Sequence, residues 1–152
     1  MRASMSLVEG MLCKVADCQA QPSANRVFWL QGPPQSGKTA AAIELARRAS
    51  GTYVDLLADK LGDLDPPVGT YRPKHFQADV KHWARDAGSL LVIDEVEPLF
   101  DTWSHTQQED AVRLLSGLTA RTSCQVLVAT RIPLDYDRLT GNKGRLFSTS
   151  GR

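Results

Sequence analysis

Gly32-Pro-Pro-Gln-Ser-Gly-Lys-Thr39 decides how the rest of the chain is read. Glycines at this spacing let backbone N–H groups curl around phosphate oxygens with no Cβ in the way. A helix opening near Lys38 aims its unpaired N–H groups and the positive end of its dipole at the same anion. The Lys38 ammonium reaches the outer phosphates, and the Thr39 hydroxyl is a ligand for Mg²⁺. With Pro33, Pro34, Gln35 and Ser36 completing the turn between Gly32 and Gly37, these residues form a candidate cradle for ATP. An apolar strand directly before the motif and a helix at its end separate such a loop from an ordinary Gly-rich turn.

Working outward, short apolar runs alternate with longer amphipathic ones, the pattern of stacked βα units. Arg26 to Gln31 is the first strand, its Val27, Phe28, Trp29 and Leu30 suited to a sheet covered on both faces. Lys38 to Ala49 is an Ala-rich helix, and Thr52 to Leu56 a second strand. Asp59 to Tyr71 reads as loop. Phe76, Val80, Trp83, Ala84 and Ala87 mark a further helix before the continuous run Leu90-Leu-Val-Ile93. Thr106-x-x-Glu109 has the form of a capping box, opening a helix with Ala111, Val112, Leu114, Leu115 and Leu118 on its apolar face. Gln125 to Thr130 is a fourth strand, and a short helix through Tyr136 to Leu139, a turn at Gly141 to Gly144 and a last strand near Leu146-Phe147 follow. Upstream, Leu7, Val8, Met11, Leu12 and Val15 share one helical face, joined to the core by a polar linker. The expected organisation is one domain over 1–152, with a helix and linker in 1–25 and an α/β core in 26–148.

Hydrolysis also needs a metal ligand and a base, and Asp94-Glu95 follows the most apolar strand. In an open parallel sheet, ligands sit off the carboxyl ends of the strands, so this pair and Gly32 emerge at the same edge. Asp94 is the expected Mg²⁺ ligand and Glu95 the general base for the attacking water. Thr130 ends another strand there, where it either orients that water or supports the next turn. Arg131, Arg138 and Arg145 lie in the tail, where an arginine either stabilises a transferring phosphoryl group of its own or a neighbouring subunit or, as most basic residues of such a tail, is simply solvated.

The 152 residues are 42% hydrophobic and 23% charged with a formal net charge of +1, and no apolar run is long enough to span a bilayer. Without a secretory leader, a cytoplasmic location is expected. Cys13, Cys18 and Cys124 have neither disulfide nor zinc spacing and are expected to be buried thiols. The basic residues Arg72, Lys74, His75, Lys81, His82 and Arg85 gather around one helix. With so small a net charge, a solvated polar face is favoured over a nucleic-acid track, and DNA contact is left open.

From Val27 to Phe147 the order of elements resembles the additional-strand catalytic-glutamate P-loop ATPases, and within them the AAA+ ATPases. Gly32 to Thr39 is similar to their Walker A motif, Leu90 to Glu95 to Walker B, and Thr130 to the sensor residue between them in space. The resemblance implies a three-layer α/β core. Its mostly parallel five-stranded sheet has the order 5-1-4-3-2, with helices on both faces and ATP bound between subunits of a homo-oligomer. That family usually continues into a C-terminal helical lid, for which this chain has no room. Arg138 and Arg145 lie where the family places a trans-acting arginine finger, and no motif chooses between them. The length, the early P-loop and the Asp-Glu after a Leu-rich strand also resemble the small P-loop ATPases of bacterial BREX phage-defence systems, the BrxF family. This implies a partnership with defence proteins that modify or restrict DNA. Two other functions fit the same residues: a nucleotide-gated adaptor with little hydrolysis, and a small-molecule phosphotransferase using Asp63 to Pro73 as a lid.

Overall fold

The computed structural model describes residues 4–19, 26–118, 124–141 and 146–149. Five apolar runs form its sheet: β1 (Val27–Gln31), β2 (Thr52–Asp55), β3 (Leu90–Asp94), β4 (Gln125–Thr130) and β5 (Leu146–Ser148). Their spatial order is β2-β3-β4-β1-β5, and every pairing is parallel. Read from the other edge, this is the 5-1-4-3-2 order that the family resemblance implied. Parallel neighbours need a crossover that climbs back over the sheet, which is why helices lie between successive strands and cover both faces.

Successive side chains on a strand point to opposite faces, so each central strand feeds two cores. Phe28, Leu30, Leu90, Val92, Leu127 and Ala129 pack on one face under α1 (Met5–Gln19) and α2 (Lys38–Arg48). Helix α2 lays Ala41, Ala42, Leu45 and Ala46 against the sheet, small side chains that let its backbone approach closely. Helix α1 buries Val8, Met11, Val15 and Cys18 and is tied to α2 by an ion pair between Arg48 and Glu9 at 2.6 Å. Cys13 is exposed, so only two of the three cysteines are the buried thiols expected. Position 13 falls on the outer side of a helix whose apolar stripe is already filled.

Val27, Trp29, Leu91, Ile93, Val126 and Val128 face the other way, under α3 (Pro73–Ala84), α4 (Glu97–Phe100), α5 (His105–Ser116) and α6 (Tyr136–Leu139). An aromatic group holds this layer. The rings of Phe76 and Phe100 meet edge-on at 5.7 Å, those of Phe100 and Trp103 lie 4.8 Å apart, and Trp103 Nε1 donates to the Tyr71 carbonyl at 2.9 Å. The segment read as loop is folded into short turns at Leu56–Lys60, Leu61–Asp63 and Val68–Thr70, and Leu61, Leu64 and Val68 pack on the core. Helix α4 was not anticipated, because one turn carries too few residues to show a period.

Helix α5 starts earlier than the Thr106-x-x-Glu109 pattern suggested. Its cap is Ser104, whose Oγ accepts from Gln107 N while the Gln107 side chain accepts from Ser104 N. Thr106 and Glu109 are already inside the helix, and Ser104-x-x-Gln107 is an equally good capping box two residues upstream. On α3 and its flanks, Arg72, Lys74, Lys81, His82 and Arg85 are exposed, as expected of a solvated face. His75 acts locally, its Nδ1 accepting from Arg72 N at 2.9 Å at the start of the helix. Among the described residues no helix is long and apolar enough to cross a membrane.

Phe76 is fully buried at the centre of the aromatic group. Phe76→Ala is therefore expected to lower the unfolding free energy by about 3–5 kcal/mol. Guanidinium denaturation checks this; a loss below about 1 kcal/mol, the size of an ordinary surface change, would mean that the group does not hold the layer.

Candidate functional site

The strand β1 ends at Gln31, and the motif loop leaves the sheet at its carboxyl edge. Gly32 N donates to the Thr130 carbonyl at 3.1 Å, which pins the loop to the end of β4. Gln35 and Gly37 take left-handed backbone angles (φ 58° and 87°), and Gly37 caps α2. The loop is thereby bent back on itself, with its N–H groups gathered ahead of the helix. Pro33, Pro34 and Gln35 are exposed, whereas Lys38, at the first position of α2, is 8% exposed. Thr39 follows in the same turn, half-buried.

The wall of this cradle includes a residue that the motif did not reveal. Thr149, just beyond β5, donates from N to the Gln31 carbonyl at 3.1 Å and from Oγ1 to Ser36 Oγ at 2.6 Å. A Cβ at Gly32 would lie 2.0 Å from Thr149 Oγ1 and 2.7 Å from Ser36 Oγ. The first glycine is thus required by close approach of neighbouring side chains, in addition to the turn.

Asp94 ends β3 and is 1% exposed. Tyr53, on β2, donates its hydroxyl to Asp94 Oδ2 at 2.8 Å, and Glu95 N donates to Oδ1 at 2.8 Å. Both carboxylate oxygens are therefore held in place, with lone pairs left over for a further ligand. Burial and the Asp94 carboxylate push the Tyr53 hydroxyl far above its ordinary range, so it stays a donor. Glu95 is half-buried and adopts φ 58°, unusual for a residue with a side chain. Its carboxyl is raised above the usual value, first by burial and then by Asp94, Asp55 and Glu97, with the Lys38 charge opposing. Asp55 is the register partner of Asp94. A carboxylate so poised is closer to neutrality than an isolated one, the property sought in a general base.

Thr130 reaches the same edge, fully buried, and its Oγ1 accepts from Ile132 N at 3.1 Å. It also lies within hydrogen-bonding reach of the Tyr136 hydroxyl, which donates to the Ile132 carbonyl at 2.6 Å. These contacts tie Thr130 into the turn after β4. Glu97 is a buried acid that sequence reasoning passed over, 6% exposed, and its Oε2 accepts from Arg131 N at 3.3 Å. Arg131 Nη2 is 3.8 Å from Asp101, and Arg138 Nη2 is 2.9 Å from Glu109 on its own chain. Arg145 lies outside the described residues.

The loop, Lys38, Thr39, Asp94, Glu95 and the backbone of Thr130 thus converge at the carboxyl edge of β1, β3 and β4. Tyr53, Glu97 and Thr149 were illegible because each acts through a neighbour brought close by folding. Only Glu97, an acid two residues after Glu95, could have been suspected. The donor set fits a magnesium nucleotide: a loop with glycine at each end, a buried ammonium, a hydroxyl and a preoriented carboxylate.

Comparison with known proteins agrees with this fold. The structure of C. elegans PCH-2 resembles this chain with a TM-score of 0.63 at 16% identity, over 98% of this chain and 44% of that one. The chain therefore spans under half the length of that protein, and the likeness is one of fold. No curated protein matches the chain significantly. The model of the ATPase family associated with various cellular activities matches residues 28–147, most of the chain. The chain belongs to this family, the AAA ATPases.

Proposed function

We propose that the chain binds MgATP in the Gly32 to Thr39 cradle, hydrolyses it with Glu95 as general base, and self-assembles in the service of a larger complex. The observation that carries this reading is the convergence of buried Lys38 and the Asp94-Glu95 pair at one sheet edge, with the Glu95 carboxyl raised. Backbone N–H groups of the loop and Lys38 would hold the phosphates, and Thr39 and Asp94 the metal. The metal, when bound, supplies charge neutralisation at the phosphates. Glu95 takes the proton of the attacking water. Bacterial phage defence of the BREX type is the setting we propose, on the resemblance of length, loop position and Asp-Glu placement to the BrxF family. Other defence proteins would then be the partners.

A second reading, the nucleotide-gated adaptor with little hydrolysis, draws support from two contacts. The Thr130 hydroxyl is engaged in its own turn, and Arg138 is engaged with Glu109. An isolated subunit then lacks a free arginine from this helix, and a neighbour must supply one. For a phosphotransferase lid, the Asp63 to Pro73 segment offers no support, since Leu64 and Val68 pack into the core.

Light scattering with and without MgATP, paired with phosphate release, tests the main reading. Lys38→Ala is expected to abolish ATP binding and ATP-dependent mass gain. Glu95→Gln should keep both while turnover drops by about 100-fold or more. Turnover retained in Glu95→Gln sinks the role of Glu95, and mass gain with background phosphate release establishes the adaptor.

The raised Glu95 carboxyl gives a pH test. A general base works only when ionised, so turnover should rise with pH through a limb above the ordinary glutamate range and fall away below it. Asp55→Asn removes one of the negative charges that raise it, and the limb should move to lower pH. An unmoved limb in the pH–rate profile would separate the limb from Glu95.

A further inference from the structure

We propose that Tyr53 sets the metal preference of the candidate site: its hydroxyl restricts Asp94 to contact through one oxygen at a time, which favours Mg²⁺ over the larger Ca²⁺. The inference rests on the reading of the Gly32 to Thr39 cradle as a site for a metal nucleotide, and it deepens that reading. Tyr53 is a positioning residue, acting through Asp94.

Tyr53 lies within β2, the edge strand of the sheet, and its register partner is Val92. Its side chain therefore leaves the sheet on the face that Val92 and Asp94 share, where its ring packs against the core under α2. From there the hydroxyl reaches one pleat further along, to Asp94 Oδ2 at 2.8 Å. Register alone would have offered Asp94 a different neighbour, Asp55, which stands directly opposite it. That acid is turned to its own chain instead, its Oδ1 accepting from Ala58 N at 3.0 Å. The backbone supplies the second restraint, Glu95 N donating to Asp94 Oδ1 at 2.8 Å, and the residue is 1% exposed. Both oxygens of a buried carboxylate are thus already bonded, one of them by a side chain from another strand.

This arrangement discriminates between the two common hard cations. An ion that chelates both oxygens draws on each at once and weakens one or both of the bonds that hold them. An ion that takes one oxygen, or a water bound to it, leaves both bonds in place. Calcium is large, accepts many oxygens and often chelates a carboxylate through both of its atoms. Magnesium is small and octahedral, keeps several waters, and is held by one or two carboxylates together with substrate phosphates. Among the described residues no three His, Cys, Asp or Glu side chains gather where they could hold a cation, so the protein builds no cage of the kind that suits Ca²⁺. Removing the Tyr53 hydroxyl would free Oδ2 and let Asp94 present both oxygens.

Isothermal titration of the full chain with a non-hydrolysable ATP analogue, in Mg²⁺, in Ca²⁺ and in EDTA, tests this. The unaltered chain should bind the analogue about tenfold or more tighter with Mg²⁺ than with Ca²⁺, and Tyr53→Phe, which keeps the packed ring, should lose about tenfold in Mg²⁺ alone. Its preference then falls close to parity, with binding in EDTA unchanged. An equal loss under all three conditions is the mark of a merely structural hydroxyl and overturns the proposal, as does a Tyr53→Phe chain that keeps the Mg²⁺ preference. A chain that binds no nucleotide under any condition brings down the MgATP reading and this inference together; binding with a preference that Tyr53→Phe leaves intact removes this inference alone. Should Tyr53→Phe fail to fold, the ring resonances of Tyr53 in the unaltered chain serve instead. Saturation with the analogue and Mg²⁺ should leave them in place and Ca²⁺ should shift them, and equal responses to the two ions refute the role.

Discussion

The parallel pairing of β4 with β1 on one side and β3 on the other is the constraint on which the rest depends. Because Val27 pairs with Val126 and Leu91 with Val126, the three strands run in step and end together. Gly32, Asp94 and Thr130, separated by up to about a hundred residues of chain, are thereby delivered to one edge. The two-sided core enforces the register, since a slip of one residue would exchange the partners of every side chain on both faces. Loss of that register would dismantle the site before any of its residues was touched.

Two of the three described non-glycine residues with left-handed angles lie at that edge, and the third, Ser50, follows α2. Gln35 and Glu95 are non-glycine residues in left-handed angles, each costing roughly 1–3 kcal/mol. They flank the two halves of the site, the loop and the acid pair. The loop is held by the Gly32 bond to Thr130 and by Thr149 on Ser36, the acid pair by Tyr53 and the Glu95 amide. Surrounding structure thus over-determines a geometry that the local chain disfavours. At the opposite edge Arg26 Nε and both amide atoms of Gln125 are buried without partners.

Much of the architecture was legible along the chain. Strand β4 and the short helix α6 were read with the bounds they have, and the Leu90 run proved to be buried at every position. Such elements announce themselves because burial on both faces leaves an unbroken apolar run. The start of α5 was misread because two capping patterns overlap and sequence alone offers no way to rank them. The short turns between Leu56 and Thr70 were unseen, since they are held by packing of Leu61, Leu64 and Val68 instead of a local period.

For the candidate site, the sequence by itself determined the residue types whose chemistry is local: glycines, a lysine and a threonine at fixed spacing, and an acid pair after an apolar strand. A loop and a helix end are built from contiguous residues, so their spacing can be read. Tertiary structure alone decided that Tyr53 holds Asp94, that Thr149 closes over Gly32, that Thr130 Oγ1 accepts from Ile132 N, and that Arg26 Nε is buried without a partner. Each of these depends on a neighbour from a distant strand or on how completely water is excluded. Neither quantity is written in any stretch of the chain, because both arise only when the strands are set side by side.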